Sequence, residues 1–109
     1  MKAQQIIKGS LPIIVLQLLN NNGQMYGYEI LKAVETATKG NMLITEAALY
    51  PTLHRLETEG YISFREKIAE GRTRKYYKLN NKGKKRAEND LSHFTETYKQ
   101  LQKVFRYKA

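Results

Sequence analysis

Residues 45–60, TEAALYPTLHRLETEG, lead directly into residues 61–79, YISFREKIAEGRTRKYYKL. The first segment carries leucines at spacings of four and three: Leu49, Leu53 and Leu56. This spacing predicts a helix that buries one side, because positions three and four apart share a helix face. Thr45 can cap the start of this helix, and Gly60 is a left-handed stop after it. Pro51 lies inside the segment and leaves the position of the helix start open.

The second segment alternates apolar and polar residues on both sides of Gly71. Residues 61–68 and 74–79 are therefore predicted to be two antiparallel strands joined by a turn. A helix that leads into a basic hairpin is typical of a winged helix-turn-helix. We predict a mainly α fold with a small β-hairpin.

Two further helices are expected before this stretch. Residues 10–20 read SLPIIVLQLLN and predict a largely buried helix with Ser10 as N-cap and Pro12 in its first turn. Residues 26–38 place apolar side chains at helical spacing and predict a second helix that Gly40 closes.

A last helix is predicted from Asn80 or Asn81 almost to the end of the chain. Its apolar residues follow spacings of 4, 3, 4, 3 and 4: Ala87, Leu91, Phe94, Tyr98, Leu101 and Phe105. Such a heptad seam predicts pairing with another helix, hence a homodimer. The alternative is an amphipathic helix that covers its own domain. The expected organisation is a winged helix-turn-helix over residues 1–80 and a C-terminal dimerisation helix over residues 81–109.

Composition narrows the class of protein. With 109 residues and no cysteine, the chain is expected to be one small domain without disulfides or thiolate metal sites. The N-terminal segment is too polar for a signal peptide and no apolar run could span a bilayer, so we expect a cytoplasmic protein without a membrane partner. His54 and His93 are the only histidines, and no catalytic motif accompanies them. We therefore expect neither an enzyme nor a cofactor.

Positive charge is concentrated in the second half of the chain. The net charge is +9, and residues 1–60 carry five basic and five acidic side chains, which cancel. Residues 65–86 alone hold ten basic residues against two glutamates. A polyanion is the natural partner of such a segment, although a solvated basic face would have the same composition.

The side of the 45–60 helix opposite the leucines is the expected DNA-reading face. It carries small, polar and aromatic residues: Thr45, Ala47, Tyr50, His54 and Arg55. Small side chains let the backbone approach base edges, and alanine can pack on a thymine methyl. The hairpin tip adds the cations Arg72, Arg74 and Lys75, which suit phosphates or a narrow minor groove. For His54 and Arg55 the alternative is ordinary exposed helix surface.

Three blocks of the sequence resemble the PadR family of bacterial transcriptional regulators. They are YGYEI at 26–30, ALYPTLHRLETEGYI at 48–62 and GRTRKYYKL at 71–79, with Lys82-Gly83 following. The single short C-terminal helix is similar to that of the small-subunit branch, which includes the lactococcal multidrug-resistance regulator. The family commonly has glycine where this chain has Ala48.

The resemblance implies a homodimeric winged-helix repressor, and it implies roles for particular residues. Tyr26, Tyr50 and His54 would contact the DNA backbone or groove. In a drug-binding member, an aromatic residue of the last helix lines a pore between the subunits, and Phe94 takes that place here. A small aromatic ligand at the dimer interface is thus implied, with packing in the seam as the alternative role of Phe94.

We expect from these patterns a sequence-specific repressor that binds double-stranded DNA at an inverted repeat. Two other classes stay open: a basic RNA-binding or architectural module, and a ligand-sensing interaction protein whose contact with DNA is incidental.

Overall fold

The computed structural model describes residues 3–109, with side chains from Gly9 onward, and this part of the chain forms four helices and a small sheet. In chain order the elements are α1 (Ala3–Asn22), β1 (Gln24–Tyr26), α2 (Gly27–Ala37), α3 (Glu46–Thr58), β2 (Ile62–Ala69), β3 (Arg72–Leu79) and α4 (Asn81–Arg106). The predicted fold class is confirmed: a mainly helical winged helix with one long C-terminal helix.

The leucine stripe of α3 forms the centre of the core. Leu49, Leu53 and Leu56 are at most 1% exposed. They pack within one cluster that includes the buried side chains of α1, namely Leu11, Val15, Leu16 and Leu19. Burial of these apolar surfaces is the main free energy that holds α3 in place, so the opposite side of α3 is free to face a partner.

The ends of α3 are those that the sequence predicts. The Thr45 side chain accepts a hydrogen bond from the Ala48 N–H at 3.2 Å, and Gly60 has a φ of +83° just beyond the helix. The helix continues through Pro51 without interruption. Pro51 is exposed, so the Ala47 carbonyl, which lacks its usual N–H donor at residue 51, lies on the solvent side.

One predicted boundary is wrong. Helix α1 begins at Ala3 instead of Ser10, so Ser10 is no N-cap and Pro12 lies in the helix interior. Helix α2 begins at Gly27, within one residue of its predicted start, and it is preceded by a strand over residues 24–26 that the sequence did not predict. Tyr26 is both the last residue of that strand and the N-cap of α2, where its backbone N–H donates to the Glu29 carboxylate at 3.0 Å.

The sheet has three antiparallel strands in the order β1-β3-β2. Glu70 and Gly71 both have positive φ, 53° and 75°, which is the backbone of a tight two-residue hairpin turn. The sequence predicts this hairpin, although β3 begins at Arg72, two residues before its predicted start, and it does not predict β1. That strand is only three residues long and pairs with β3 some fifty positions away, from Gln24 opposite Lys78 to Tyr26 opposite Tyr76.

Helix α4 begins as predicted, with Asn80 as its N-cap. Its first two turns pack on the rest of the chain: Gly83 and Ala87 are buried, and the Gln17 amide donates to the Ala87 carbonyl at 2.6 Å. From Leu91 onward nearly every side chain is exposed. Within residues 3–109, no helix combines the length and apolar character needed to cross a bilayer.

Candidate nucleic-acid interface

A cleft of about 630 Å³ opens between the starts of α2 and α3 and the outer half of β3. Ten residues line it: Tyr26, Gly27, Tyr28, Glu46, Tyr50, Arg72, Thr73, Arg74, Lys75 and Tyr77. Strand β1 pairs with β3 only at residues 76–78, so the edge of β3 beyond that point borders the cleft. The fold therefore brings five of the predicted DNA-contacting residues to one place, although they come from three separate parts of the sequence.

Gly27 and Tyr50 hold two walls of this cleft together. A Cβ atom on Gly27 would lie 2.5 Å from the Tyr50 hydroxyl oxygen and 2.9 Å from the ring carbon that carries it. Only a residue without a side chain lets the Tyr50 ring lie against the start of α2. Tyr50 is nevertheless 46% exposed, so part of its ring remains available to a ligand.

Arg74 is engaged within the protein. Its guanidinium carbon lies 4.4 Å from the centre of the Tyr26 ring, and its NH2 group pairs with the Glu70 carboxylate at 3.3 Å. A hydrogen bond with the Tyr76 side chain is the main factor that raises the pKa of Arg74. The Tyr26 and Tyr76 rings meet edge to face at 5.3 Å. Arg74 thus ties the hairpin to the start of α2.

The other two predicted wing cations differ in their surroundings. The Lys75 ammonium lies 4.5 Å from the centre of the Phe64 ring, on the face of the hairpin that continues the core. Arg72 is exposed, and it forms no ion pair or ring contact with other described residues. Of the three cations, Arg72 can therefore turn toward a phosphate without first breaking a contact with another described residue.

The remaining predicted residues lie on the exposed side of α3, outside the cleft lining. Thr45, Ala47, His54 and Arg55 are all exposed. Ala48 is half-buried and packs against the core, so it is not part of the open face. The cleft and the exposed face of α3 adjoin at Tyr50 and Glu46, and together they form one continuous surface.

Of the six residues in the predicted seam of α4, one is buried in the core and five are exposed. Ala87 is fully buried in the core cluster. The other five seam residues are 45–76% exposed: Leu91, Phe94, Tyr98, Leu101 and Phe105. Phe94 lies in the middle of this stripe and is 45% exposed. Among the residues that the structure describes, a single chain leaves about half or more of this apolar surface exposed.

Several cleft residues were not singled out from the sequence as contact positions. Gly27, Tyr28, Thr73 and Tyr77 line the cleft. Tyr77 is 7% exposed, and this burial raises the pKa of its hydroxyl. The available signal was Gly27 itself, because glycine at the first position of a helix has poor helix propensity and often indicates a close approach.

A winged helix with a cationic, aromatic cleft beside an open helix face defines a DNA-binding regulator of transcription. The chain matches the model of the Transcriptional regulator PadR-like family over residues 15–89. It therefore belongs to this family. A protein of Lysinibacillus sphaericus without an assigned function is 35% identical over 85 residues, which cover 77% of each chain. The transcriptional regulator YqjI of Escherichia coli is 36% identical over 58 residues, 53% of this chain but only 28% of that protein.

Solved structures agree with this assignment. A transcriptional regulator from Clostridium thermocellum is 32% identical and superposes with a TM-score of 0.82 over 91% of this chain and 96% of the other. PadR of Bacillus subtilis, solved in complex with operator DNA, is 29% identical with a TM-score of 0.67. That match covers 74% of this chain and 46% of the other.

Proposed function

We propose that the chain is a homodimeric repressor that binds double-stranded DNA at an inverted-repeat operator. The observation that carries the proposal is the single surface formed by the cleft and the exposed side of α3. It combines tyrosines, the cations of the hairpin and a helix face with small side chains. The operator complex of Bacillus subtilis PadR supports DNA as the partner.

Helix α3 is proposed to enter the major groove. Ala47 and Thr45 are small, so the first turn can approach base edges closely. His54 and Arg55, two turns further on, are the side chains in reach of bases or phosphates. This face offers few bidentate donors, so we infer that DNA shape supplies a large part of the specificity.

The cleft is proposed to hold the sugar-phosphate backbone beside that groove. Tyr26 and Tyr50 contribute hydroxyls, while Arg72 and Lys75 contribute charge. If a dimer neutralises about eight phosphates, log affinity should fall with log salt at a slope near −7. We infer that the hairpin contributes mainly affinity and α3 mainly the position on the operator.

The second copy of the chain is proposed to cover the exposed stripe of α4. The heptad spacing supports this, as does the exposure of nearly every described side chain from Leu91 onward. A two-fold symmetric dimer presents two copies of α3, which implies an inverted repeat with half-sites about one helical turn apart.

A small aromatic ligand at the dimer interface is a further part of the proposal. Phe94 offers a flat apolar face in the centre of the stripe and is proposed to line that site. Such a ligand would release the protein from DNA only if it binds the DNA-free dimer more tightly. As a regulator of transcription, the protein is proposed to act in the bacterial cytoplasm.

A gel-shift titration with DNA from upstream of its own gene tests the proposal. We expect the protein to bind that fragment at least about a thousandfold more tightly than random duplex. Equal affinity for both would contradict sequence-specific regulation. Preferential competition by structured RNA would instead favour the RNA-binding alternative.

A further inference from the structure

The end of α3 and the start of α4 are joined by a network of polar contacts. The Lys82 ammonium donates to the Glu59 carbonyl at 2.8 Å, and the Asn80 amide donates to the Gly60 carbonyl at 2.6 Å. Carbonyls at the end of a helix lack partners inside that helix. Side chains of α4 and its cap supply them here, so the end of α3 is capped by the beginning of α4.

Tyr61, the last residue before β2, adds a second set of contacts. The Lys82 ammonium and the Arg86 guanidinium both lie 4.5 Å from the centre of the Tyr61 ring, within the range of cation–π attraction. Arg86 also pairs with Glu59 at 3.9 Å and with Asp90 at 3.2 Å. Arg86 therefore contacts both helices as well as the ring between them.

The backbones also approach closely at this point. The Tyr61 carbonyl accepts from the Asn80 N–H at 3.2 Å, and the Asn80 side chain in turn accepts from the Gly83 N–H at 2.8 Å. A Cβ on Gly83 would collide with the Tyr61 carbonyl oxygen. We call the set Glu59, Gly60, Tyr61, Asn80, Lys82, Gly83 and Arg86 the junction.

We propose that the junction holds α3 and α4 at a fixed angle and thereby determines which half-site spacing the dimer accepts. This inference rests on the proposed function for both the dimer and the DNA. At 1.5 Å per residue, Phe105 lies about 33 Å along α4 from Gly83. A ten-degree change of angle would therefore shift the far end by roughly 6 Å, nearly two base pairs at about 3.4 Å each. Lys82 and Arg86 are positioning residues in this scheme.

The test compares two double variants of equal charge. Lys82→Met with Arg86→Met removes the ionic and cation–π contacts of the junction, leaves those of Asn80 in place and keeps side chains that can pack on Tyr61. Lys84→Met with Lys85→Met removes the same charge from exposed neighbours on the same helix. The control corrects for any loss of phosphate attraction, and circular dichroism checks that both variants fold.

One measurement needs no DNA. The chain has no cysteine, so Thr58→Cys gives a single spin-label site per subunit at the end of α3. In the dimer, the distribution of distances between the two labels should be narrow for the unchanged junction and for the control. It should broaden by about twofold or more for the junction variant, because the two copies of α3 are then less firmly held.

The second measurement uses inverted repeats whose half-site spacing changes in single base-pair steps. We expect the parent protein and the control to lose about tenfold in affinity for a two-base-pair change, and the junction variant about threefold or less. A junction variant with an unchanged distance distribution and spacing preference would overturn the inference. A parent protein that ignores spacing, together with the expected broadening, would contradict the proposed function and leave the positioning role of the junction supported.

Discussion

The contact between Gly27 and Tyr50 predicts that Gly27→Ala will impair DNA binding without loss of stability. A methyl group must push the Tyr50 ring away, since its nearest atoms would lie 2.5–2.9 Å from the new carbon. Alanine is favoured over glycine by up to about 1 kcal/mol in a helix interior and by less at this first helical position, which offsets part of the strain. We expect binding to weaken by about five- to tenfold while the free energy of unfolding changes by less than about 1 kcal/mol.

A double-mutant cycle with Tyr50→Ala checks the cause. Once the ring is absent, Gly27→Ala should cost no further affinity, so the two effects should be strongly non-additive. Additive losses would mean that Gly27 acts in some way other than by seating Tyr50.

Arg72 and Arg74 are neighbours in the hairpin, but the structure predicts different effects for them. Arg72 is exposed and forms no ion pair or ring contact with other described residues. Arg72→Ala should therefore reduce the slope of log affinity against log salt by the equivalent of about one phosphate contact per subunit. Arg74 is held by Tyr26, Tyr76 and Glu70. Arg74→Ala should lower affinity by misplacing the hairpin, with little change in the salt slope. Equal changes of slope for both variants would refute this division.

Within α3, the sequence predicted the buried stripe, the Thr45 cap and the Gly60 stop because each follows from contacts inside one short segment. The cleft could not be predicted in the same way. It depends on β1, a strand of three residues whose pairing with β3 is decided by the folded chain. The junction was missed for the same reason, because Tyr61 and Arg86 meet only after the hairpin has folded back.

Pro51 lies inside α3 although proline has the lowest helix propensity of all residues. A proline inside a helix removes one backbone hydrogen bond and costs about 3 kcal/mol relative to alanine. Pro51 is exposed, so burial of its ring offsets little of this cost. Pro51→Ala is expected to raise the free energy of unfolding by roughly 1–3 kcal/mol in urea denaturation, part of the gain being lost to the more flexible unfolded chain.

A matched substitution shows whether the gain comes from the helix backbone. Thr58→Ala, at the exposed end of the same helix, changes no backbone hydrogen bond and should alter stability by less than about 0.5 kcal/mol. If Pro51→Ala destabilises the protein, the proline ring must make a stabilising contact that the structure of the single chain does not show.

The whole molecule separates its functions along the chain. The first sixty residues are electrically neutral and supply most of the buried core, whereas the basic residues of the hairpin and of early α4 carry the charge. The chain is elongated, with extents of 61 × 30 × 20 Å, because α4 projects beyond the core. That projection leaves the five seam residues from Leu91 to Phe105 exposed, so a dimer is proposed to be the functional unit.

Leu91→Asp with Leu101→Asp is expected to separate this dimer. Both leucines are almost half exposed in the single chain, so the charged residues can be solvated in a monomer. In a paired seam each unpaired buried carboxylate would cost several kcal/mol, and the dimer would contain four.

Asn89→Asp with Ser92→Asp adds the same charge on the opposite, exposed side of α4 and should leave the dimer intact. Analytical ultracentrifugation distinguishes the two variants, and a Leu91→Asp, Leu101→Asp protein that still sediments as a dimer would refute the seam. The monomeric variant should also lose its preference for an inverted repeat over a single half-site, because only the dimer gains affinity from engaging both half-sites at once.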